Sequence, residues 1–99
     1  MLVVDASVLA VALADDGPDG DAARSRLRGE TLAAPELVDL EVASVLRRQD
    51  RAGLLDTRRA NLALTDLAAA SARLTPFTNE LFNAPQMRVI NELELRMNA

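Results

Sequence analysis

The chain has 99 residues, of which 49% are hydrophobic, and a formal net charge of −4. This length suits one small domain. Only Phe77 and Phe82 are aromatic, so the core must be built from aliphatic side chains. Cysteine and histidine are absent, which excludes disulfides, thiolate or imidazole metal sites and a Ser-His-Asp triad. Polar catalysis would therefore depend on carboxylates, hydroxyls, amides and arginines.

The charge pattern is unusual because all 11 basic residues are arginine. The net negative charge is not the global signature of a protein that coats nucleic acid. A GC-rich gene is the explanation that we favour for the arginine bias, and bidentate phosphate binding is the alternative. Several arginines are clustered: Arg24, Arg26 and Arg28; Arg47, Arg48 and Arg51; Arg58 and Arg59.

The longest wholly apolar run, Val8–Ala14, is too short to cross a membrane. The amino terminus lacks the basic segment of a signal peptide. We therefore expect a soluble cytoplasmic protein with no membrane partner.

The first third of the chain predicts a strand and two helices. Leu2–Val4 is apolar throughout, as in a central parallel strand covered on both faces. Ser7–Leu13 continues in small and aliphatic residues, which predicts a buried helix that Asp15–Pro18 ends. Asp21–Arg28 predicts a short helix, acidic at its start and basic at its end, that stops at Gly29.

The middle of the chain repeats the alternation. Thr31–Ala34 predicts a short second strand, and Pro35 ends it and opens a helix that runs to about Ala52. Asp56 is a suitable N-cap for a further helix, to about Ala70. Strands that alternate with helices predict an α/β domain with a short parallel sheet flanked by helices.

We expect residues 1–99 to form a single domain, of which 1–70 is recognisable and 71–99 is a divergent, helical tail. Pro76 and Pro85 punctuate this tail. An apolar stripe at helical spacing supports the helix and comprises Met87, Ile90, Leu93 and Met97.

Asp5 is the first candidate functional residue, because it follows a strand that is predicted to be buried. Open α/β sheets bind ligands at the carboxyl ends of their strands. An acid at this position can equally cap the helix that begins near Ser7. Ser7 could hydrogen-bond Asp5 or a scissile phosphate, or serve only as a helix-start hydroxyl. The sequence leaves these alternatives open.

Glu41 is the second candidate. At about 100° per residue, it lies within about 60° of Val38 and Val45, which predicts that it stands in the middle of the core-facing stripe. An ionised carboxylate there is costly unless it is paired or binds a cation. A salt bridge to Arg48 is one solution, and a divalent cation shared with Asp5 is the other. With only oxygen ligands available, that cation would be Mg²⁺ or Mn²⁺.

Two motifs carry a family resemblance: "VVDASVLA" and, further along, "APELVDLEVASVLRR". Together they resemble the amino-terminal half of a PIN-domain ribonuclease, most of all the VapC toxins of bacterial toxin–antitoxin pairs. The resemblance covers residues 1 to about 67. Asp5 and Glu41 match the two acids that serve the family's Mg²⁺ site, and Ser7 matches its Ser/Thr two residues after the first acid.

The resemblance implies a PIN-like parallel sheet flanked by helices and a hydrolase that cleaves RNA endonucleolytically with Mg²⁺. It also implies a cognate antitoxin protein as partner and a homodimer. The catalytic residues would be Asp5, Glu41 and Ser7, and the metal ligands Asp5 and Glu41.

The second half departs from the family pattern. The third acid, in a motif like T-x-Y-D-A, is not recognisable, and in the superficially similar segment 75–78 Thr78 stands where the acid would be. The segment "RVINELELRMNA" resembles the helix before that motif, so the fold is expected to be incomplete at its C-terminal end. Truncation, a shifted reading frame or a split chain would explain this, and any of them would impair the activity.

A second function class remains open. In it the chain is a non-enzymatic interaction module or a decayed toxin remnant that binds a partner chain through the stripe at Met87 and Ile90. Asp5 is then only a cap, and Glu41 pairs with Arg48.

Overall fold

Four parallel strands and four helices make up the part of the chain that the computed structural model describes, residues 1–76 and 88–90. Along the chain the elements are β1 (Leu2–Val4), α1 (Ala6–Ala14), α2 (Pro18–Leu27), β2 (Leu32–Ala34), α3 (Val38–Arg51), α4 (Thr57–Ser71), β3 (Thr75–Pro76) and β4 (Arg88–Ile90).

The sheet has the order β3-β2-β1-β4, so β1 is an inner strand with a parallel partner on each side. Val3 lies opposite Ala33 on β2 and Val89 on β4. Leu2 and Val4 are fully buried. The predicted α/β class, the parallel sheet and the central position of the first strand are confirmed.

Two helix starts differ from the prediction. Helix α2 begins at Pro18 rather than Asp21, because proline is already suited to the first helical turn. Helix α3 begins at Val38 rather than Pro35, because the Val38 N–H bonds the Pro35 carbonyl in a turn that precedes the helix. The remaining helix bounds agree with the prediction to within about two residues.

The prediction of a helical tail is wrong where the structure describes it. Thr75–Pro76 pairs with β2, and Arg88–Ile90 pairs with β1, so both segments are strands. The physical reason is tertiary: β1 and β2 each offer an unpaired edge that a parallel partner can satisfy. Of the predicted apolar stripe, Ile90 is a fully buried strand residue, and Met87, Leu93 and Met97 lie outside the described residues.

The core is aliphatic, as the shortage of aromatic residues predicts. Helix α1 lies at its centre and packs against α2, α3 and α4. The largest fully buried side chains come from both strands and helices: Leu2, Val4, Val8, Val42, Leu46 and Ile90.

Two arginines hydrogen-bond the C-terminal end of α1, where helix carbonyls lack intrahelical partners. Arg24 Nη1 donates to the carbonyls of Ala12 (2.9 Å) and Asp15 (2.8 Å). Arg59 Nη2 donates to the Leu13 carbonyl at 2.8 Å, and its Nε pairs with Asp16. Two members of the clusters considered as phosphate ligands are therefore engaged in holding α1 against α2 and α4.

Among residues 1–76 and 88–90, no helix combines the length and the apolar character that a membrane crossing requires.

Candidate metal and active site

Asp5 caps helix α1. Its backbone is extended, and its Oδ1 accepts a hydrogen bond from the Val8 N–H at 3.0 Å. The Ser7 hydroxyl donates to the same oxygen at 2.9 Å. The capping interpretation of Asp5 is confirmed, and so is the hydrogen bond between Ser7 and Asp5.

Capping occupies only one oxygen of the Asp5 carboxylate. Both hydrogen bonds end on Oδ1, and within the described part of the chain no hydrogen bond ends on Oδ2. An ionised carboxylate can accept on both oxygens. Capping and ligand binding are therefore compatible at Asp5, although the sequence had presented them as alternatives.

Asp5, Ser7 and Glu41 line one open pocket of about 540 Å³. Asp5 and Ser7 reach it from the carboxyl end of β1 and the first turn of α1, and Glu41 reaches it from the first turn of α3. Because the carboxyl ends of parallel strands lie at one edge of a sheet, the turns after β1 and β2 meet there. The remaining lining residues are Ala6, Leu37, Leu40, Ser44, Val45 and Arg48.

The prediction that Glu41 stands in the middle of the core-facing stripe is wrong. The buried residues of α3 are Val38, Val42 and Leu46, which follow one another at four-residue intervals. Glu41 precedes Val42 by about 100° around the helix and is exposed. Burial therefore does not require a partner for the Glu41 carboxylate. The support for a metal role is instead that Glu41 and Asp5 line the same pocket.

The alternative of a Glu41–Arg48 salt bridge is also absent from the described part of the structure. Neither side chain makes an ion pair or a hydrogen bond there. Arg48 lies about two turns beyond Glu41 on the same flank, roughly 10 Å along the helix axis. Both charges therefore remain available to a ligand.

The opposite flank of α3 holds contacts that the sequence did not reveal. The Ser71 hydroxyl donates to Asp39 Oδ2 at 2.6 Å, and the Thr57 hydroxyl donates to Asp50 at 2.6 Å, so both ends of α4 are tied to α3. Asp39 Oδ1 is buried and has no hydrogen-bond partner among the described residues. Hydropathy along α3 does not reveal these two hydrogen bonds, because they depend on the packing of α4 against α3.

Comparison with known proteins identifies the family. The sequence model of the PIN domain matches residues 2–92. This chain belongs to the PIN-domain family. The match continues well past residue 67, where the recognisable motifs end.

This chain is also similar to individual proteins that are named as ribonucleases. VapC ribonuclease Mb0985 of Mycobacterium bovis and Ribonuclease VapC9 of Mycobacterium tuberculosis are each 49% identical to it over 63 residues. The matched segment is 61% of this chain and 46% of each relative. The match thus spans less than half the length of these curated relatives.

The donor set of the pocket fits a hard divalent cation. Two carboxylates and a hydroxyl are all oxygen donors, and Mg²⁺ is typically bound by one or two carboxylates with water in its other positions. Across residues 1–76 and 88–90, no group of three or more acids is placed to hold a metal. The described part of this PIN domain therefore offers two candidate carboxylate ligands, a number within the range that Mg²⁺ uses.

Proposed function

We propose that this PIN domain is a metal-dependent endoribonuclease, the toxin of a VapC-type toxin–antitoxin module. One observation carries the proposal: Asp5, Ser7 and Glu41, which come from separate motifs, line a single pocket at the ligand-binding edge of the sheet. Similarity to two proteins named as VapC ribonucleases supports RNA as the substrate.

Asp5 and Glu41 are the proposed ligands of Mg²⁺, with Mn²⁺ as an alternative. Ser7 holds the Asp5 side chain by donating to Oδ1, which leaves Oδ2 for the metal. Bound Mg²⁺ supplies polarisation of a phosphate oxygen and activation of water. Hydrolysis adds one water across the phosphodiester bond and leaves one phosphate end and one hydroxyl end.

RNA cleavage by the chain tests this proposal. We expect cleavage of a labelled single-stranded RNA in Mg²⁺ that stops when EDTA is added. Glu41→Gln is expected to reduce cleavage severely. Glu36→Gln is the matched control, because Glu36 is an exposed acid near the start of α3 that does not line this pocket. Equal loss in both variants, or cleavage in EDTA, would contradict the proposal.

The toxin role brings further expectations. A cognate antitoxin, encoded by a short open reading frame beside the gene, is expected to relieve the growth arrest that the toxin causes in the cytoplasm. A homodimer is expected by sedimentation. Growth arrest that persists in Glu41→Gln would refute RNA cleavage as its cause.

A non-enzymatic interaction module is the second candidate, and one observation favours it. Leu37 and Leu40, at the rim of the same pocket, are 60% and 66% exposed. If the pocket binds a partner chain rather than RNA, Leu40→Ser abolishes that binding, and Glu41→Gln leaves it intact.

A further inference from the structure

The pocket also contains two polar side chains that the proposed metal site does not use. Ser44 and Arg48 lie on the pocket side of α3, beyond Glu41, and both are exposed. They are four residues apart and thus neighbours on the helix surface. Glu41, Ser44 and Arg48 therefore form one polar row along the pocket side of α3.

Neither side chain is engaged in a polar contact within residues 1–76 and 88–90. Arg48 makes no ion pair, and Ser44 Oγ makes no hydrogen bond, with any residue that the structure describes. By contrast, Arg24 and Arg59 each bond helix carbonyls and an aspartate. Within the described part of the chain, the Arg48 charge is therefore available for a ligand.

The chemistry of this pair suits a phosphate group. Arginine presents a planar, always charged fork that matches two phosphate oxygens, and a serine hydroxyl can donate a third hydrogen bond. Protein hydrogen bonds to nucleic acids go largely to phosphate from these residue types. The pocket also contains two carboxylates that repel a polyanion, so a cation at its rim offsets that repulsion locally.

We propose that Arg48 and Ser44 bind a phosphate of the RNA strand that neighbours the phosphate at Asp5 and Glu41. The backbone positions of Glu41 and Arg48 are offset by roughly 10 Å along α3. Ser44 lies between them, so a phosphate bound by Ser44 and Arg48 together would lie closer to the metal site than that offset. This inference rests on the proposed function for the identity of the ligand. It assigns Arg48 to substrate positioning, and it assigns no proton transfer to either residue.

The test measures RNA binding without cleavage. A fluorescently labelled single-stranded RNA is titrated with the full chain in EDTA, by anisotropy, at several salt concentrations. Each phosphate contact contributes about 0.7 to the slope of log K against log salt for single strands. Arg48→Gln is expected to lower that slope by about 0.7, and Arg48→Lys is expected to restore most of it.

Arg47→Gln is the matched control, because it removes the same charge from the adjacent position, which is exposed and does not line the pocket. Its slope is expected to equal that of the wild type. Three results would overturn the inference. They are equal slope changes in Arg47→Gln and Arg48→Gln, no slope change in either variant, and no salt-dependent binding by the wild type. Ser44→Ala is expected to weaken binding at every salt concentration without changing the slope.

The outcome separates this inference from the proposed function. Mg²⁺-dependent cleavage with an Arg48-independent slope would refute the phosphate site alone. An Arg48-dependent slope without cleavage in Mg²⁺ would refute the ribonuclease proposal alone.

Discussion

Asp5 is the N-cap of α1 and a proposed metal ligand, and two substitutions distinguish these roles. Asp5→Asn retains an oxygen that can accept from Val8 and Ser7 but removes the charge. Asp5→Ala removes both. Because asparagine and aspartate are comparable N-caps, Asp5→Asn is expected to change the free energy of unfolding by less than about 0.5 kcal/mol.

The cost of Asp5→Ala follows from the two hydrogen bonds at Oδ1. Loss of an N-cap costs about 1 kcal/mol, and loss of the Ser7 bond adds about 0.5 kcal/mol, because a partly buried hydroxyl can still reach water. The total, about 1.5 kcal/mol, corresponds to a fall in Tm of roughly 6–12 °C for a domain of this size.

Urea unfolding followed by circular dichroism in EDTA measures both values. A second series at saturating Mn²⁺ separates the metal role, because a ligand at 100 times its Kd stabilises the fold by about 2.7 kcal/mol. Only the wild type is expected to gain this stability. If Asp5→Asn is as unstable as Asp5→Ala in EDTA, or gains as much as the wild type from Mn²⁺, the division of roles between Oδ1 and Oδ2 is wrong.

Three further predictions concern the scaffold that places these residues. Leu46→Ala removes a fully buried side chain of α3 and is expected to cost about 2–5 kcal/mol in urea unfolding, whereas Leu62→Ala, at a half-exposed site, costs much less. Gly20→Ala is expected to lower stability by about 1–3 kcal/mol, because its Cβ would overlap the Asp15 carbonyl oxygen; an unchanged Tm would contradict that close approach. Arg24→Met is expected to cost about 1–3 kcal/mol through the lost carbonyl bonds, with the exposed Arg58→Met near neutral; equal effects would refute the role of Arg24 as a helix anchor.

The sequence predicted the elements whose cause is local. The apolar Leu2–Val4, the break at Asp15–Pro18 and the glycine after α3 each determine structure through nearby residues, and the structure agrees. Arg88–Ile90 was wrongly assigned to a helix because its strand conformation depends on pairing with β1, which lies more than eighty residues earlier. No local pattern contains that information.

The three candidate residues were grouped for a reason that is partly wrong. Asp5, Ser7 and Glu41 do share a pocket, but Glu41 is exposed, so the desolvation argument does not apply to it. A hydropathy pattern on one helix cannot distinguish the buried line through Val42 from the adjacent line through Glu41 when apolar residues occupy both. The pocket forms because the line of α3 residues that contains Leu37, Glu41 and Val45 faces the start of α1.

The central claim is that Asp5 and Glu41 bind one divalent cation together, and Mn²⁺ binding followed by electron paramagnetic resonance tests it most directly. The wild type is expected to bind one Mn²⁺ per chain, Asp5→Asn and Glu41→Gln are each expected to lose that binding, and Glu36→Gln is expected to retain it. Undiminished Mn²⁺ binding in both Asp5→Asn and Glu41→Gln would contradict the claim.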